Sequence, residues 1–481
     1  MTAFRRLPLV QLILAGLSVL TLVAALTTLV VRGGGPTSAT AAKPKPTATG
    51  SGPAPVSPTA TAPPAPLAIA AAPKLLHALK ATAVEPGQVS AAISGLLGAS
   101  ALGTGVTADV VDVLTGQPLA SVGAGTLVPP ASTAKLLTAA AALRILGPTA
   151  TLSTTVVNGA VPGQIVLVGG GDPTLAGAAA DPPGTYPVEA SLAALAKATA
   201  KALAGKKVSV AYDATLYGNQ TMAEGWKQTY VSAGNVAPVS ALEVDEGRQV
   251  GKTARASDPA LAAAQQFATL LSADGVKVTG TVTAGVGAAS AKPLAKVSSA
   301  PVSALVERML RVSDNDLAES LARQVALKEH QPPTFVGAAA GVAQALIPLG
   351  VDPSTLHLVD GSGLSVSDTL QTSALVKVLV AAAAKAHPEL RALLTGLPVA
   401  GFLGTLSTRY GTTTTAVGVG TVRAKTGTLT HVSSLAGVVV DAEGRQLAFA
   451  VVAGHVPSTS PLDAETALDK IAAVLAGCGC H

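Results

Sequence analysis

The sequence predicts an α+β fold in which an antiparallel sheet carries helices from both ends of the folded chain. Residues 104 to 114 are typical of a strand, and residues 422 to 453 are typical of three more. A tight turn at Asp441 to Gly444 joins the last two strands as a hairpin. Helices are predicted before this set, over residues 74 to 98, and after it, from an N-cap at Ser460 to Ala476.

Residues 150–298 differ in character and are interpreted as an insertion into this fold. Short apolar runs such as Ile165 to Val168 alternate there with glycine-rich turns, which predicts a mostly β segment. Two helices are predicted within it as well, over residues 191–203 and 260–271. The predicted domains are therefore a main domain formed by residues 74–149 and 299–477 and an inserted part formed by residues 150–298.

The N-terminal region predicts export. Leu7 to Val31 is an almost unbroken apolar run, long enough to span a bilayer, and Arg5 and Arg6 precede it. These basic residues favour a cytoplasmic N-terminus with the rest of the chain outside. We therefore predict a membrane anchor within residues 1–32, with a cleaved signal peptide as the alternative. Residues 33–73, rich in proline, threonine and alanine, are predicted to be a linker.

Composition and cysteine usage exclude some functions. The net charge is only +5 over 481 residues and aromatic residues make up 2% of the chain, so nucleic acid is an unsuitable partner. The chain has two cysteines, Cys478 and Cys480, next to the C-terminal His481. They predict a loose C-terminal tail, and a metal site formed with the histidine is the alternative.

The most informative stretch runs from a predicted strand at Thr126 to Pro129 into an alanine-rich helix that ends near Gly147. Ser132 lies at or near the start of this helix, and Lys135 follows one turn later on the same face. A serine hydroxyl needs a base to take its proton. Burial and the helix dipole lower the pKa of a lysine and make it a suitable base. The spacing predicts a nucleophile and its base, although a helix cap beside a solvated lysine is the simpler interpretation.

Two further motifs make this pattern more specific. Ser313 and Asn315 belong to the only Ser-x-Asn sequence in the chain, at a predicted break between two helices. Lys425 to Gly427 is the only Lys-Thr-Gly sequence, and it lies on a predicted strand. Alone, the first could be a polar turn and the second the end of a strand. Together with Ser132 and Lys135, they predict a serine acyl-transfer site.

With these motifs the sequence resembles the penicillin-recognising serine acyl-transferases. It is most similar to the D-alanyl-D-alanine carboxypeptidase/endopeptidase family, which comprises the class C low-molecular-mass penicillin-binding proteins of peptidase family S13. Other similar stretches are Gly169 to Leu175, Ala237 to Leu242, Asp360 to Ser365 and Leu397 to Gly401. The resemblance covers roughly residues 74 to 477. It implies a β-lactamase/transpeptidase-like domain with an insertion between the first two motifs.

The resemblance implies a role for each residue of the first two motifs. Ser132 would attack the carbonyl group of the penultimate D-alanine in a peptidoglycan stem peptide, with Lys135 as the base. Ser313 and Asn315 would line the opposite wall, relay the proton to the leaving amine and hold the peptide amide. Water would then release the acyl-enzyme.

The third motif would bind the substrate carboxylate. Lys425 would supply positive charge, and the hydroxyl groups of Thr426 and Thr428, on either side of Gly427, would bind the carboxylate. The backbone N–H groups of Thr428 and of the nucleophile would form an oxyanion hole.

Recognition of the stem-peptide side chain departs from the family pattern. Members commonly carry an arginine just after the Asp360 to Ser365 stretch, where this chain has Val366. Asp213 matches the acidic partner in the same pocket. The resemblance therefore predicts the reaction more firmly than the side-chain preference.

Two alternatives stay open. A β-lactamase would use the same nucleophile, but class A enzymes deacylate with a glutamate and water. No Glu-x-x-Leu-Asn sequence follows Ser313. A catalytically silent cell-wall binding protein would have no chemical need for Lys135 or Lys425. The expected partners are peptidoglycan stem peptides, β-lactams as inhibitors and the membrane, with no metal or organic cofactor and with the catalytic domain outside the cytoplasm.

Overall fold

The computed structural model describes residues 84–177, 186–458 and 461–480. The predicted anchor and linker, the first part of the predicted N-terminal helix and the predicted N-cap Ser460 lie outside these ranges. Within them, no helix combines the length and the apolar character that a membrane span requires.

The strands and helices of the described residues are as follows. The strands are β1 (Thr104–Asp112), β2 (Pro118–Val122), β3 (Ser153–Asn158), β4 (Gln164–Val168), β5 (Ser209–Asp213), β6 (Thr283–Ala284), β7 (Ala295–Ser298), β8 (Leu356–His357), β9 (Thr369–Leu370), β10 (Arg423–Leu429), β11 (Val432–Val440) and β12 (Gln446–His455). The helices are α1 (Pro86–Leu97), α2 (Lys135–Ile145), α3 (Leu192–Leu203), α4 (Thr229–Ser232), α5 (Pro259–Ala273), α6 (Val302–Val312), α7 (Asn315–Lys328), α8 (Phe335–Leu346), α9 (Thr372–Ala383), α10 (Arg391–Thr395) and α11 (Pro461–Gly477).

The first main sheet is antiparallel and joins the two ends of the folded chain. Its order is β10-β11-β12-β1-β2, so the C-terminal hairpin pairs with the first strand. Helices α1 and α11 pack on one face, where Ile93, Phe449 and Ile471 share a core. Helices α2 and α9 pack on the other face, in a core that includes Ala450. Cover on both faces explains why β11 and β12 are buried along nearly their whole length. The predicted α+β arrangement is confirmed.

The helical part beside this sheet contains a sharp break at the second motif. Helix α6 ends where Ser313 takes a left-handed conformation, with φ of 60°. Helix α7 then begins at Asn315, and the N-cap carboxylate of Asp314 accepts a hydrogen bond from the backbone N–H of Leu317. The break predicted between two helices is therefore present, and it presents two polar side chains on a short loop.

A second five-stranded sheet lies within the inserted segment. Its order is β6-β5-β4-β3-β7, with β3 antiparallel to both neighbours and β5 parallel to β4 and β6. Helices α3 and α5 pack against it through Leu195 and Phe267. The parallel pair β4 and β5 needs a crossover, which α3 supplies. The two helices predicted within the segment are present as α3 and α5, and the segment is mixed α and β where a mostly β character was predicted.

Two local predictions are wrong. Residues 126–129 do not form a strand: Val128 makes one isolated bridge with Leu370, and the prolines that follow have no N–H group for a sheet. The strand that pairs with β1 on the side away from β12 is β2, at residues 118–122. The described end of the chain is not loose, because Cys478 and Cys480 are buried with their sulfur atoms in contact and their carbonyl groups accept backbone hydrogen bonds.

Candidate active site

Ser132 lies in a short 3-10 turn, Ala131–Ala134, that leads directly into α2. The turn begins with a strained residue, since Ala131 has φ of 50°. It is tied to the sheet because the hydroxyl of Ser434 on β11 donates to the carbonyl oxygen of Pro130 at 2.7 Å. These contacts hold the serine at the junction of the helical part and the sheet.

Lys135 is fully buried and its amino group reaches three acceptors. Nζ donates to Ser132 Oγ at 3.0 Å, to Asn315 Oδ1 at 2.6 Å and to the carbonyl oxygen of Ser362 at 2.7 Å. Burial lowers the pKa of Lys135 to about 8, against the opposing charge of Asp360 and other carboxylates. A lysine with this pKa exists partly in the neutral form at physiological pH, so it can accept the serine proton.

Lys425 and Ser313 form a second contact on the opposite wall. Lys425 Nζ donates to Ser313 Oγ at 2.9 Å and to the carbonyl oxygen of Thr426 at 2.7 Å. Burial, and secondly the positive charge of Lys135, hold the pKa of Lys425 well below its usual value. A bound carboxylate would raise this pKa again and favour the charged form.

Asn315 connects the two walls to the inserted segment. Its Oδ1 accepts from Lys135, and its Nδ2 donates to the carbonyl oxygen of Asn235 at 2.8 Å. The structure therefore brings together Ser132, Lys135, Ser313, Asn315 and Lys425, the five residues predicted to be catalytic. Sequence reasoning missed the carbonyl groups of Asn235 and Ser362, because backbone acceptors leave no signal in residue type.

The two threonines of the third motif are held by other side chains. The hydroxyl of Thr426 shares a hydrogen bond of 2.8 Å with the hydroxyl of Thr405. The hydroxyl of Thr428 donates to Glu465 Oε1 on α11 at 3.1 Å. In the described structure, then, each threonine hydroxyl predicted to bind the substrate carboxylate already has a hydrogen-bond partner. A substrate would have to share or replace this partner.

Strand β10 is the edge strand of the first sheet. One side of β10 pairs with β11. On its other side, the only β-bridge among the described residues joins its first residue, Arg423, to Val399. A Cβ added to Gly427 would lie 2.9 Å from the carbonyl oxygen of Pro130, so glycine lets the strand approach the serine turn closely. An edge with free N–H and C=O groups can bind an extended peptide as an additional strand.

Asp213 is not brought to these five residues. It ends β5 in the inserted sheet, where its Oδ1 accepts from the backbone N–H and the hydroxyl of Thr215. A cavity of about 880 Å³ opens nearby, lined in part by Tyr212, Val239 and Asp258, and it includes none of the five residues either. The role implied for Asp213 stays a prediction without a contact to support it.

The chain is similar to known proteins over most of its length. The profile of the D-Ala-D-Ala carboxypeptidase 3 (S13) family matches residues 89–257 and 246–475. The carboxypeptidase DacB of Mycolicibacterium smegmatis is 39% identical over 384 residues, which covers 78% of this chain and 81% of the relative.

Solved structures show the same fold. The crystal structure of penicillin-binding protein 4 from Haemophilus influenzae superposes with a TM-score of 0.65 at 23% identity, covering 79% of this chain and 97% of that one. A second structure of that protein, complexed with a novel β-lactam, gives a TM-score of 0.61 at 23% identity with the same coverage. At this identity the likeness concerns the fold alone.

Proposed function

The chain belongs to the D-Ala-D-Ala carboxypeptidase 3 (S13) family, and we propose that it acts through an acyl-enzyme on Ser132. It is a serine-type D-Ala-D-Ala carboxypeptidase/endopeptidase of peptidoglycan. One observation carries the role of the serine: its Oγ lies 3.0 Å from the buried amino group of Lys135. Nucleophile and base are thus within hydrogen-bond reach, as this chemistry requires.

In the acylation step, Ser132 Oγ attacks the carbonyl carbon of the penultimate D-alanine and its proton passes to Lys135 Nζ. The bond between that carbon and the amide nitrogen then breaks. The Ser313 hydroxyl, which contacts Lys425, gives a proton to the leaving nitrogen and is reprotonated with the proton that Lys135 took up. The terminal D-alanine departs as a free amino acid, and the rest of the peptide remains on the serine as an acyl ester.

In the deacylation step, water attacks the ester carbon and gives one proton to the serine oxygen as the bond between them breaks, which restores the hydroxyl group. A β-lactam would acylate the same serine, and its ester would persist unless a base activated water against it. Glu319 is a nearby buried carboxyl group, but it accepts from the backbone N–H of Gly361 and pairs with Arg323. Because both partners engage this carboxyl group, we favour slow release over β-lactamase activity.

The function is tested by release of D-alanine from an N-acylated peptide that ends in D-Ala-D-Ala. The full-length protein is expected to release one D-alanine per peptide, and a matched peptide that ends in D-Ala-L-Ala should be a poorer substrate. A folded protein that binds peptidoglycan but releases no D-alanine would instead favour the silent cell-wall binding protein.

The acylation rate is expected to increase as the pH rises through about 8. Lys135 accepts a proton only in its neutral form, and burial lowers its pKa to about 8, so the neutral fraction grows with pH. The measurement is the rate of benzylpenicillin acylation between about pH 6 and pH 10. An acylation rate that decreases as the pH rises through this range would contradict the assignment of Lys135 as the base.

We propose that residues 1–32 anchor the chain in the membrane and place the catalytic part outside the cytoplasm. The support is the apolar run from Leu7 to Val31 with Arg5 and Arg6 before it. N-terminal sequencing of the protein from washed membranes is expected to start at Met1 or Thr2. A start beyond the apolar run, with the protein in the soluble exported fraction, would identify a cleaved signal peptide.

A further inference from the structure

A buried ionic cluster lies behind the loop that carries Ser313 and Asn315, and the reaction described above does not use it. Its centre is Arg308 on α6, which contacts three carboxylates. Arg308 Nη1 lies 2.9 Å from Glu189 Oε1, Nε lies 3.4 Å from Asp314 Oδ2, and Nη2 contacts Glu246. Because Asp314 is the middle residue of the loop, this arginine reaches the loop directly.

The inserted segment supplies a second arginine to the same cluster. Arg255 Nη2 lies 3.3 Å from Asp316 Oδ2, and its Nη1 lies 3.6 Å from Glu246 Oε2. The other oxygen of Asp316 accepts from the backbone N–H of Ala237 at 2.7 Å. The first turn of α7 is therefore fixed to the inserted segment at two points.

Three carboxyl groups of this cluster are shielded from water. Glu246 has 2% of its side chain exposed, and Asp314 and Asp316 are equally buried. Burial, and then the charge of Glu246, raise the pKa of Asp314 well above its usual value. The hydrogen bond from Asp314 and the charge of Arg308 lower the pKa of Glu246 to about 2, against its burial. Side-chain oxygen atoms of Glu246, Asp314 and Asp316 lie within 4.8 Å of one another, which brings the loop against the inserted segment.

The conformation of the loop that carries Ser313 and Asn315 depends on the residues around it. Ser313 holds a left-handed conformation, which is costly for a residue with a side chain. Contacts with neighbouring residues must therefore stabilise this conformation. Asp314 is held from the α7 side by the N–H of Leu317 and from the other side by Arg308, which also contacts Glu246. A change in this support would move the hydroxyl of Ser313 and the amide of Asn315 together.

We propose that Glu246 of the inserted segment is a positioning residue for acylation, acting with Arg308 to hold the loop that carries Ser313 and Asn315. The inserted segment then contributes to acylation by holding two active-site residues in position. This inference rests on the proposed function, because the loop must take part in acylation for its position to matter.

The test compares the full-length protein with Glu246→Gln, which keeps the size of the side chain and removes its charge. The benzylpenicillin acylation rate at saturation is expected to fall roughly 100-fold, because small displacements of catalytic groups have effects of this size. The drug concentration at half saturation should change little. The matched control is Arg248→Ala: Arg248 also contacts Glu246, but its side chain is 59% exposed and makes no recorded contact with the loop. This control should acylate like the wild type.

A second pair of variants separates positioning from stability. Arg308→Lys keeps one positive charge but cannot contact three carboxylates at once, so its rate should lie between that of the wild type and that of Arg308→Ala. If Glu246→Gln and Arg308→Lys are folded and acylate at the wild-type rate, the proposal is wrong. If neither variant folds, the cluster serves stability alone and the proposal is also wrong. A wild type and an Arg248→Ala control that both fail to acylate would refute the proposed function instead.

Discussion

Ser132→Ala is expected to lower D-alanine release by about 10⁴- to 10⁶-fold, since it removes the nucleophile while leaving the binding surfaces in place. The recorded side-chain contact of Ser132 is the hydrogen bond from Lys135. The turn around it is held by backbone contacts and by Ser434. The loss should therefore appear in the catalytic rate and not in folding, and it should be measured as kcat on a D-Ala-D-Ala peptide.

The matched control for this variant is Ser121→Ala. Ser121 lies on β2, at the edge of the first sheet opposite to β10, and its hydroxyl donates to Asp109 Oδ1. This control should keep full activity. A Ser132→Ala protein with activity near that of the wild type would show that another residue, or water itself, attacks the peptide bond.

Lys135→Met is expected to lower the rate of acylation by about 10²- to 10⁴-fold, the usual contribution of a general base. Methionine has nearly the shape of lysine but cannot accept a proton. The change also leaves Asn315 Oδ1 and the carbonyl oxygen of Ser362 without a buried donor. Some loss of stability is therefore expected, of about 1–3 kcal/mol for each unsatisfied acceptor. Urea unfolding of the variant shows whether it remains folded under the assay conditions.

The control for the lysine variant is Lys377→Met, an exposed position on α9. It should acylate like the wild type. The pH dependence adds a second criterion, because the increase in rate near pH 8 should disappear from Lys135→Met. If the increase persists in this variant, the group that titrates is not Lys135.

The parts of the fold that could be predicted are those with local signals. Two apolar runs and the turn at Asp441 to Gly444 between them give the hairpin of β11 and β12. The spacing of Ser132 and Lys135 places both on one turn of a helix, and the structure has them in contact. The break at Ser313 could be predicted as well, since polar residues there interrupt the helical pattern.

Other parts depend on contacts between distant residues. The loose C-terminal tail was a reasonable expectation from glycine and cysteine at the chain end, but the carbonyl oxygen of Cys480 accepts a hydrogen bond from the backbone N–H of Glu85 at the start of the described chain. Glu246 and Asp314 lie far apart in the sequence and meet in the interior. Isolated charged residues are mostly exposed, so their burial cannot be inferred from composition. The strand predicted at Thr126 to Pro129 is absent, because the sheet pairs β1 with β2 at residues 118–122 instead.

The most direct test of the central claim is to locate the penicilloyl group. The full-length protein and Ser132→Ala are incubated with benzylpenicillin, and intact mass and peptide mapping follow at successive times. We expect one stable penicilloyl group per wild-type chain, on the peptide that contains Ser132, and none on the variant. A group attached to another residue, or an equal adduct on Ser132→Ala, would contradict the assignment of the nucleophile. A transient adduct with turnover of the drug would point to a β-lactamase instead.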